Sequence, residues 1–341
     1  MSLALNPAQQ SFVLSGLRPT GRVHLGNYYG AVKNWVDLQH RYPCFYMVAD
    51  WHALTSDYAD TSKIRQATFD AVADWIAAGL DPDKCSIFIQ SEVKEHAELH
   101  LLLSMVVPLP WLERVPTFKD QQAQLQEKDL NTYGFLGYPL LQTADIIVYR
   151  AGFVPVGEDQ ASHLEISREI VRRFNNFYGD VFPEPQALFT ATPKVPGLDG
   201  RKMSKSYGNT IGLTAPADEI RALVMTMFTD PNRVRRTDPG NPDICNLFQF
   251  HKLMSDDAII ARVDHECRTA QIGCVQDKKL LADIMIEQLR PIRERREAIE
   301  RDPSIVWDVL RRGNEKARAR AAETLELVRD AMKISYPELH R

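Results

Sequence analysis

Phe12-Val13-Leu14-Ser15-Gly16-Leu17-Arg18-Pro19-Thr20-Gly21-Arg22-Val23-His24-Leu25-Gly26-Asn27 is the stretch on which the fold turns. Residues 12–15 form an apolar run of strand length, and a turn rich in Gly, Pro and Thr carries the chain into a helix. A strand, a small-residue turn and a helix N-terminus make a natural anion site, because backbone N–H groups and the helix dipole point at whatever binds there. Gly16 and Gly26 would let a ligand approach the backbone closely, and His24 and Asn27 can donate hydrogen bonds to phosphate oxygens. Taken alone, glycines at a strand–helix junction are usually just ordinary turn chemistry.

Working outward, the helix runs over about residues 27–40, with Tyr28, Ala31, Val32, Trp35 and Leu38 near one face. Residues 44–49 are a second apolar run. Thr61 or Ser62 can cap the next helix, whose face is Ile64, Ala67, Ala71, Val72, Trp75 and Ile76. Gly79 closes it and Pro82 prevents its continuation. Residues 86–90, 153–156 and 188–191 supply further strands, with a helix over 161–176. This alternation predicts a parallel sheet with helices on its faces. Residues 95–150 read as a helical insertion between two halves of the sheet. Beyond residue 210 the strand signals stop. Helical segments rich in Arg and Glu follow, among them 284–301 and 314–332, so the domain boundary falls near residue 212.

A chain of 341 residues is long enough for two domains with separate cores. Its 44% apolar and 25% charged content excludes global disorder and a fibrous class. No window approaches the ~18 consecutive apolar residues of a membrane span. Residues 1–11 lack the basic-then-apolar order of a secretory signal, and a cytoplasmic protein is expected. The net charge of −4 decides little about nucleic acid, since one basic face can bind phosphates while the rest stays acidic. Five cysteines, an odd count, argue against a disulfide framework.

The second informative element is Lys202-Met203-Ser204-Lys205-Ser206, between Gly200-Arg201 and Gly208. It reads as a solvated basic loop, or as a mobile one whose two lysines close over a polyphosphate through charge-assisted contacts. His24-Leu25-Gly26-Asn27 near the start and Lys202-Met203-Ser204-Lys205-Ser206 at the far end of the sheet together resemble the two signatures of the class I aminoacyl-tRNA synthetases. The second is nearly literal. In the first, Asn27 stands where the commonest form has a histidine.

Three more segments are similar to the tryptophan-specific members rather than the tyrosine-specific ones: Ala49-Asp50-Trp51-His52-Ala53-Leu54-Thr55, Tyr138-Pro139-Leu140-Leu141-Gln142-Thr143-Ala144-Asp145-Ile146, and Val154-Pro155-Val156-Gly157-Glu158-Asp159-Gln160. The resemblance implies a Rossmann-like α/β catalytic domain over residues 12–212 and an all-α anticodon-binding domain over 213–335. It also implies activation of tryptophan with ATP and Mg²⁺ and transfer to tRNA(Trp). Residue chemistry adds one point. Asp145 lies in an apolar segment, where an ionised carboxylate is costly without a partner such as an arginine. By resemblance it accepts the indole N–H. A pocket built for such a bond rejects a substrate lacking the donor by roughly 10⁴–10⁵-fold, so no editing domain is required.

By the same resemblance, Tyr138 and Gln160 hold the α-ammonium of tryptophan, and His52 and Gln142 line its pocket. Asp159 meets the ribose, Gly16, Gly26 and Gly157 allow the nucleotide close, and Arg18, Met203 and Ser204 belong to the ATP site. His24, Asn27, Lys202 and Lys205 handle the phosphates. Two departures stand out: Leu14 replaces an aromatic residue found against the indole, and Gln121 replaces a second mobile lysine after the one matching Lys119.

Arg290, Arg293, Arg295, Arg296, Arg311, Arg312, Lys316, Arg318 and Arg320, interleaved with glutamates, read mostly as a salt-bridged face, with a minority available to tRNA. Arg233, Arg235 and Arg236 form a second basic cluster. The resemblance assigns anticodon recognition to the C-terminal helices and homodimer formation to the insertion. Some relatives carry an iron–sulfur cluster on four cysteines. Here Cys245, Cys267 and Cys274 match three of them, but Asp277 stands at the fourth, which reads as a degenerate or lost site in preference to the alternative, a labile cluster.

Overall fold

The computed structural model describes residues 12–115, 130–157, 161–189 and 195–340, with the backbone alone at 161–163 and 340. Strand β1 (Val13–Leu17) leads into helix α1, which is α-helical at Leu25–Asn27, π-helical at Tyr28–Val32 and α-helical again at Lys33–Leu38. Then come β2 (Cys44–Val48), α2 (Asp50–Asp57), α3 (Ile64–Ala78) and β3 (Cys85–Ile89). The insertion holds α4 (Glu95–Ser104), α5 (Leu109–Glu113), α6 (Tyr133–Leu136) and α7 (Tyr138–Ile147). It is followed by β4 (Phe153–Val156), α8 (Ala161–Tyr178) and β5 (Gln186–Phe189). The C-terminal part is helical: α9 (Ala217–Thr226), α10 (Asn246–Met254), α11 (Asp257–Arg268), α12 (Cys274–Arg301) and α13 (Ser304–Ala331).

The strands pair in parallel in the order β3-β2-β1-β4-β5, so the chain reverses its direction of travel across the sheet between β1 and β4. This is the Rossmann-like sheet expected from the alternation of elements. Two details differ. The buried face of α1 is Tyr29, Val32, Trp35 and Leu38, with Tyr28 only half-buried. The π-turn adds a residue to one turn and so shifts the helical register at that point. Neither Thr61 nor Ser62 caps α3, because the Ser62 N–H and hydroxyl both donate to Asp60 Oδ1, at 3.0 and 2.6 Å. Gly79 does close α3, with φ at +117°.

The C-terminal helices are built onto the sheet. Helix α12 packs on α3, and α13 lies along the free edge of β3, where Asn314 Oδ1 accepts the Ile89 N–H at 2.9 Å. A side-chain acceptor thus satisfies a donor that an edge strand leaves unpaired. Gly313 makes the approach possible, since a Cβ there would stand 1.8 Å from the Ile87 carbonyl oxygen. Gly313→Ala is therefore expected to destabilise the protein by about 2 kcal/mol or more, the range for overpacking against backbone. Urea unfolding measures it, and a loss under about 0.5 kcal/mol would show that the helix moves freely away from the edge.

Candidate active site

A cavity of about 450 Å³ opens at the C-terminal ends of β1 and β4, where the strand order reverses. Ligands of open α/β sheets bind at this switch point. Leu14, Gly16 and Arg18 line it from β1 and the turn beyond, Gly157 from the end of β4, His52 from α2, and Tyr138, Gln142 and Asp145 from α7. The last three are spaced i, i+4, i+7, which puts them on one face of α7. Asp159 and Gln160 lie outside the described residues, as do Lys119 and Gln121.

Asp145 is buried, and no arginine pairs with it among the described residues. Gln90 Nε2 donates to its Oδ1 at 2.8 Å and to its Oδ2 at 2.9 Å. His96 Nδ1 lies 2.6 Å from Oδ1 and His52 Nε2 2.8 Å from Oδ2. Burial alone would raise the Asp145 pKa, but His96 and His52 together hold the carboxyl well below the usual carboxylate range. An ionised carboxylate is acceptor-only, so each of these nitrogens donates. The Tyr149 hydroxyl meets the other nitrogen of His96 at 2.7 Å. Gln90, His96 and Tyr149 were invisible in the sequence, because no spacing links β3, α4 and the end of α7.

The first signature and the lysine-rich loop meet beside the cavity. The Leu25 N–H donates to Ile211 O at 2.9 Å, the Leu213 N–H to Val23 O at 2.8 Å, and the Gly26 N–H lies 3.2 Å from Met203 Sδ. Lys205 Nζ donates to Thr20 O at 2.5 Å. A Cβ on Gly26 would stand 2.9 Å from the His24 ring and 3.3 Å from Met203 Cβ, so this glycine serves the packing of the two motifs. Gly16 answers to the neighbouring strand, since its Cβ would meet Met47 O at 2.7 Å. The lysine-rich loop is tied down by buried Asn209, whose Oδ1 accepts the Ser204 N–H at 2.8 Å while its Nδ2 donates to Asp199 Oδ1 at 2.7 Å. Gly200 and Gly208, expected to make it mobile, sit at turns with φ of +81° and +62°.

His24 Nδ1 accepts the Asn27 N–H at 3.3 Å, capping α1. Burial, and after it the Lys205 charge, push the His24 pKa down to about 4. The ring is then neutral near pH 7 and its proton sits on Nε2, ready to donate. Unfolded histidine titrates near 6.5. Between these values the unfolded chain binds a proton that the folded one does not. The stability tied to neutral His24 is therefore complete above pH 6.5 and lost as pH falls toward about 4. His24→Asn should flatten that part of a plot of urea midpoint against pH; a slope equal to the parent's would overturn the account.

Beneath this loop Asp74 is fully buried. It accepts the Val23 N–H at 2.6 Å and Arg296 at 2.8 Å, tying helix α12 to the backbone before His24. Other C-terminal arginines are also structural ties: Arg295 donates to Ala77 O and Arg318 to Glu92 O, at 2.6 and 2.8 Å.

The family model described as tRNA synthetases class I (W and Y) matches residues 6–290. The tryptophan–tRNA ligase of Thermotoga maritima is 52% identical over 326 residues, which cover 95% of this chain and 99% of that protein. The one from Deinococcus radiodurans is 45% identical over 324 residues, covering 94% and 97%. The crystal structure of tryptophanyl-tRNA synthetase from Campylobacter jejuni complexed with ADP and tryptophan superposes with a TM-score of 0.86 at 33% identity, covering 94% of this chain and 99% of that one.

The chain belongs to the class I tRNA synthetases of the tryptophan and tyrosine group. Two groups singled out in the sequence, the basic cluster and the cysteines, lie against each other. Arg233 and Arg236 bond to the protein's own backbone: Arg233 donates to Ile272 O at 2.7 Å, and exposed Arg236 to Ala270 O and, at 2.5 Å, to Gln271 O, the carbonyls of the turn after α11. The cysteine set does not fit an iron–sulfur cluster. Arg233 Nη1 lies between Cys267 Sγ and Cys274 Sγ, 3.8 and 4.0 Å away. Asp277 turns to His251 Nε2 at 3.0 Å. Among the described residues no group of three or more His, Cys, Asp or Glu is arranged to hold a metal ion, and no helix is long and apolar enough to cross a membrane.

Proposed function

We propose that this chain joins tryptophan to tRNA(Trp). The tryptophan carboxylate attacks the α-phosphorus of MgATP in line, forming tryptophanyl-adenylate and releasing pyrophosphate; the adenylate then passes its acyl group to the 3′ end of the tRNA. The substrate brings its own nucleophile, so the protein contributes positioning and charge stabilisation. The observation that carries the reading is Asp145, an ionised acceptor at the wall of a cavity beside the junction of the two signatures.

In this reading Asp145 takes the indole N–H, with His52 and Gln142 along the ring and Tyr138 and Gln160 on the α-ammonium. His24, Asn27, Lys202 and Lys205 meet the phosphates. Gly16, Arg18, Gly26, Gly157, Asp159, Met203 and Ser204 surround the rest of the nucleotide. Residues 213–335 contact the anticodon. Exposed Leu101 on α4, Met105 just past its end and Leu109 on α5 support a homodimer through the insertion.

Exchange of labelled pyrophosphate into ATP, with tryptophan, tyrosine and phenylalanine side by side, tests the assignment. Exchange with tryptophan alone is expected. Exchange with tyrosine would overturn the pocket while keeping the mechanism. Folded protein giving no exchange would point to an RNA-binding paralogue.

A further inference from the structure

Gln90 sits just past the C-terminal end of β3, fully buried, and joins two elements. Its Oε1 accepts the Trp51 N–H at 3.2 Å and the His52 N–H at 3.4 Å, the first turn of α2. Its Nε2 donates to both oxygens of Asp145. The amide therefore has one workable orientation. Flipped, it would set its NH₂ against two backbone donors and its oxygen against a carboxylate.

A carboxylate has about four acceptor positions. Gln90 takes one on each oxygen and His96 another on Oδ1, and neither residue lines the cavity; the fourth, on Oδ2, is held by His52 and is the one the indole N–H would share. His52, with its side chain 12% exposed, is the Asp145 partner that lines the cavity among the described residues. We infer that Gln90 is a positioning residue for substrate selection: it aims the cavity side of Asp145 at the indole N–H and keeps α2, and so His52, in register with it. The inference rests on Asp145 being the indole acceptor.

The readout is the ratio of kcat/KM for tryptophan to that for β-(1-benzothiophen-3-yl)alanine, which carries sulfur in place of the N–H. Gln90→Met conserves volume, and Asp50 Oδ1 still accepts the Trp51 N–H at 3.0 Å, so α2 keeps a cap. The ratio should fall roughly tenfold to a hundredfold, the effect of leaving a buried hydrogen-bonding group misaligned, while kcat/KM for the analogue changes little.

Gln90→Glu carries the test if that variant does not fold. It retains an oxygen for α2 but sets a second carboxyl against Asp145, and mutual repulsion raises one of the two pKa values. Its ratio should be low at pH 8.5 and recover several-fold at pH 6, as the introduced carboxyl gains a proton to donate. The parent's ratio should stay level. An unchanged ratio in folded Gln90→Met, or a flat, parent-like one in Gln90→Glu, overturns the inference and leaves the Asp145 assignment standing. A parent ratio near one removes that assignment, and the inference with it.

Discussion

Asp145→Ala is expected to lower kcat/KM for tryptophan by roughly 10³–10⁴-fold, most of it through KM. Three consequences combine. The acceptor for the indole N–H disappears, and a buried donor without a partner costs about 1–3 kcal/mol. Gln90 Nε2, His96 Nδ1 and His52 Nε2 lose their common acceptor and no longer have a reason to converge. The wall of the cavity is then free to rearrange. Steady-state exchange with tryptophan and phenylalanine checks this, and the preference for tryptophan should shrink together with its absolute rate. A variant that stays folded and keeps its selectivity would defeat the role assigned to Asp145.

Lys205→Ala acts on the other half of the reaction. Adenylate formation in a single turnover should slow by roughly 10²–10³-fold, the scale of removing one preorganised donor to transition-state charge. Tryptophan affinity should stay within about twofold, because Lys205 is not among the residues lining the cavity. The geometry supports a phosphate role. Its ammonium reaches the turn between β1 and His24 and bonds Thr20 O at 2.5 Å, over Gly21 with its positive φ. Burial lowers the Lys205 pKa, while Asp74 and Asp70 pull it upward. An unchanged single-turnover rate would remove Lys205 from the catalytic set.

The amino-acid sequence by itself determined the parallel α/β sheet, the helical insertion, the helical C-terminal part and the kinship with the class I synthetases. Those are properties of local period, punctuation and motif, and each is written within a short run of residues. It also singled out Asp145 as a carboxylate in need of a partner. What that partner is, only the tertiary structure decided. Sequence reasoning reached for an arginine; the fold supplied Gln90, His52 and His96 from three separate elements. The basic residues divide in the same way. Arg296 is spent on buried Asp74, and Arg233 and Arg236 on backbone carbonyls. Gly16 and Gly26 answer to Met47, His24 and Met203. Apart from Gly26 against His24, the deciding contact in each case joins residues far apart along the chain. Periodicity and capping act over one or two turns, whereas a buried charge takes whichever donor packing brings within about 3 Å.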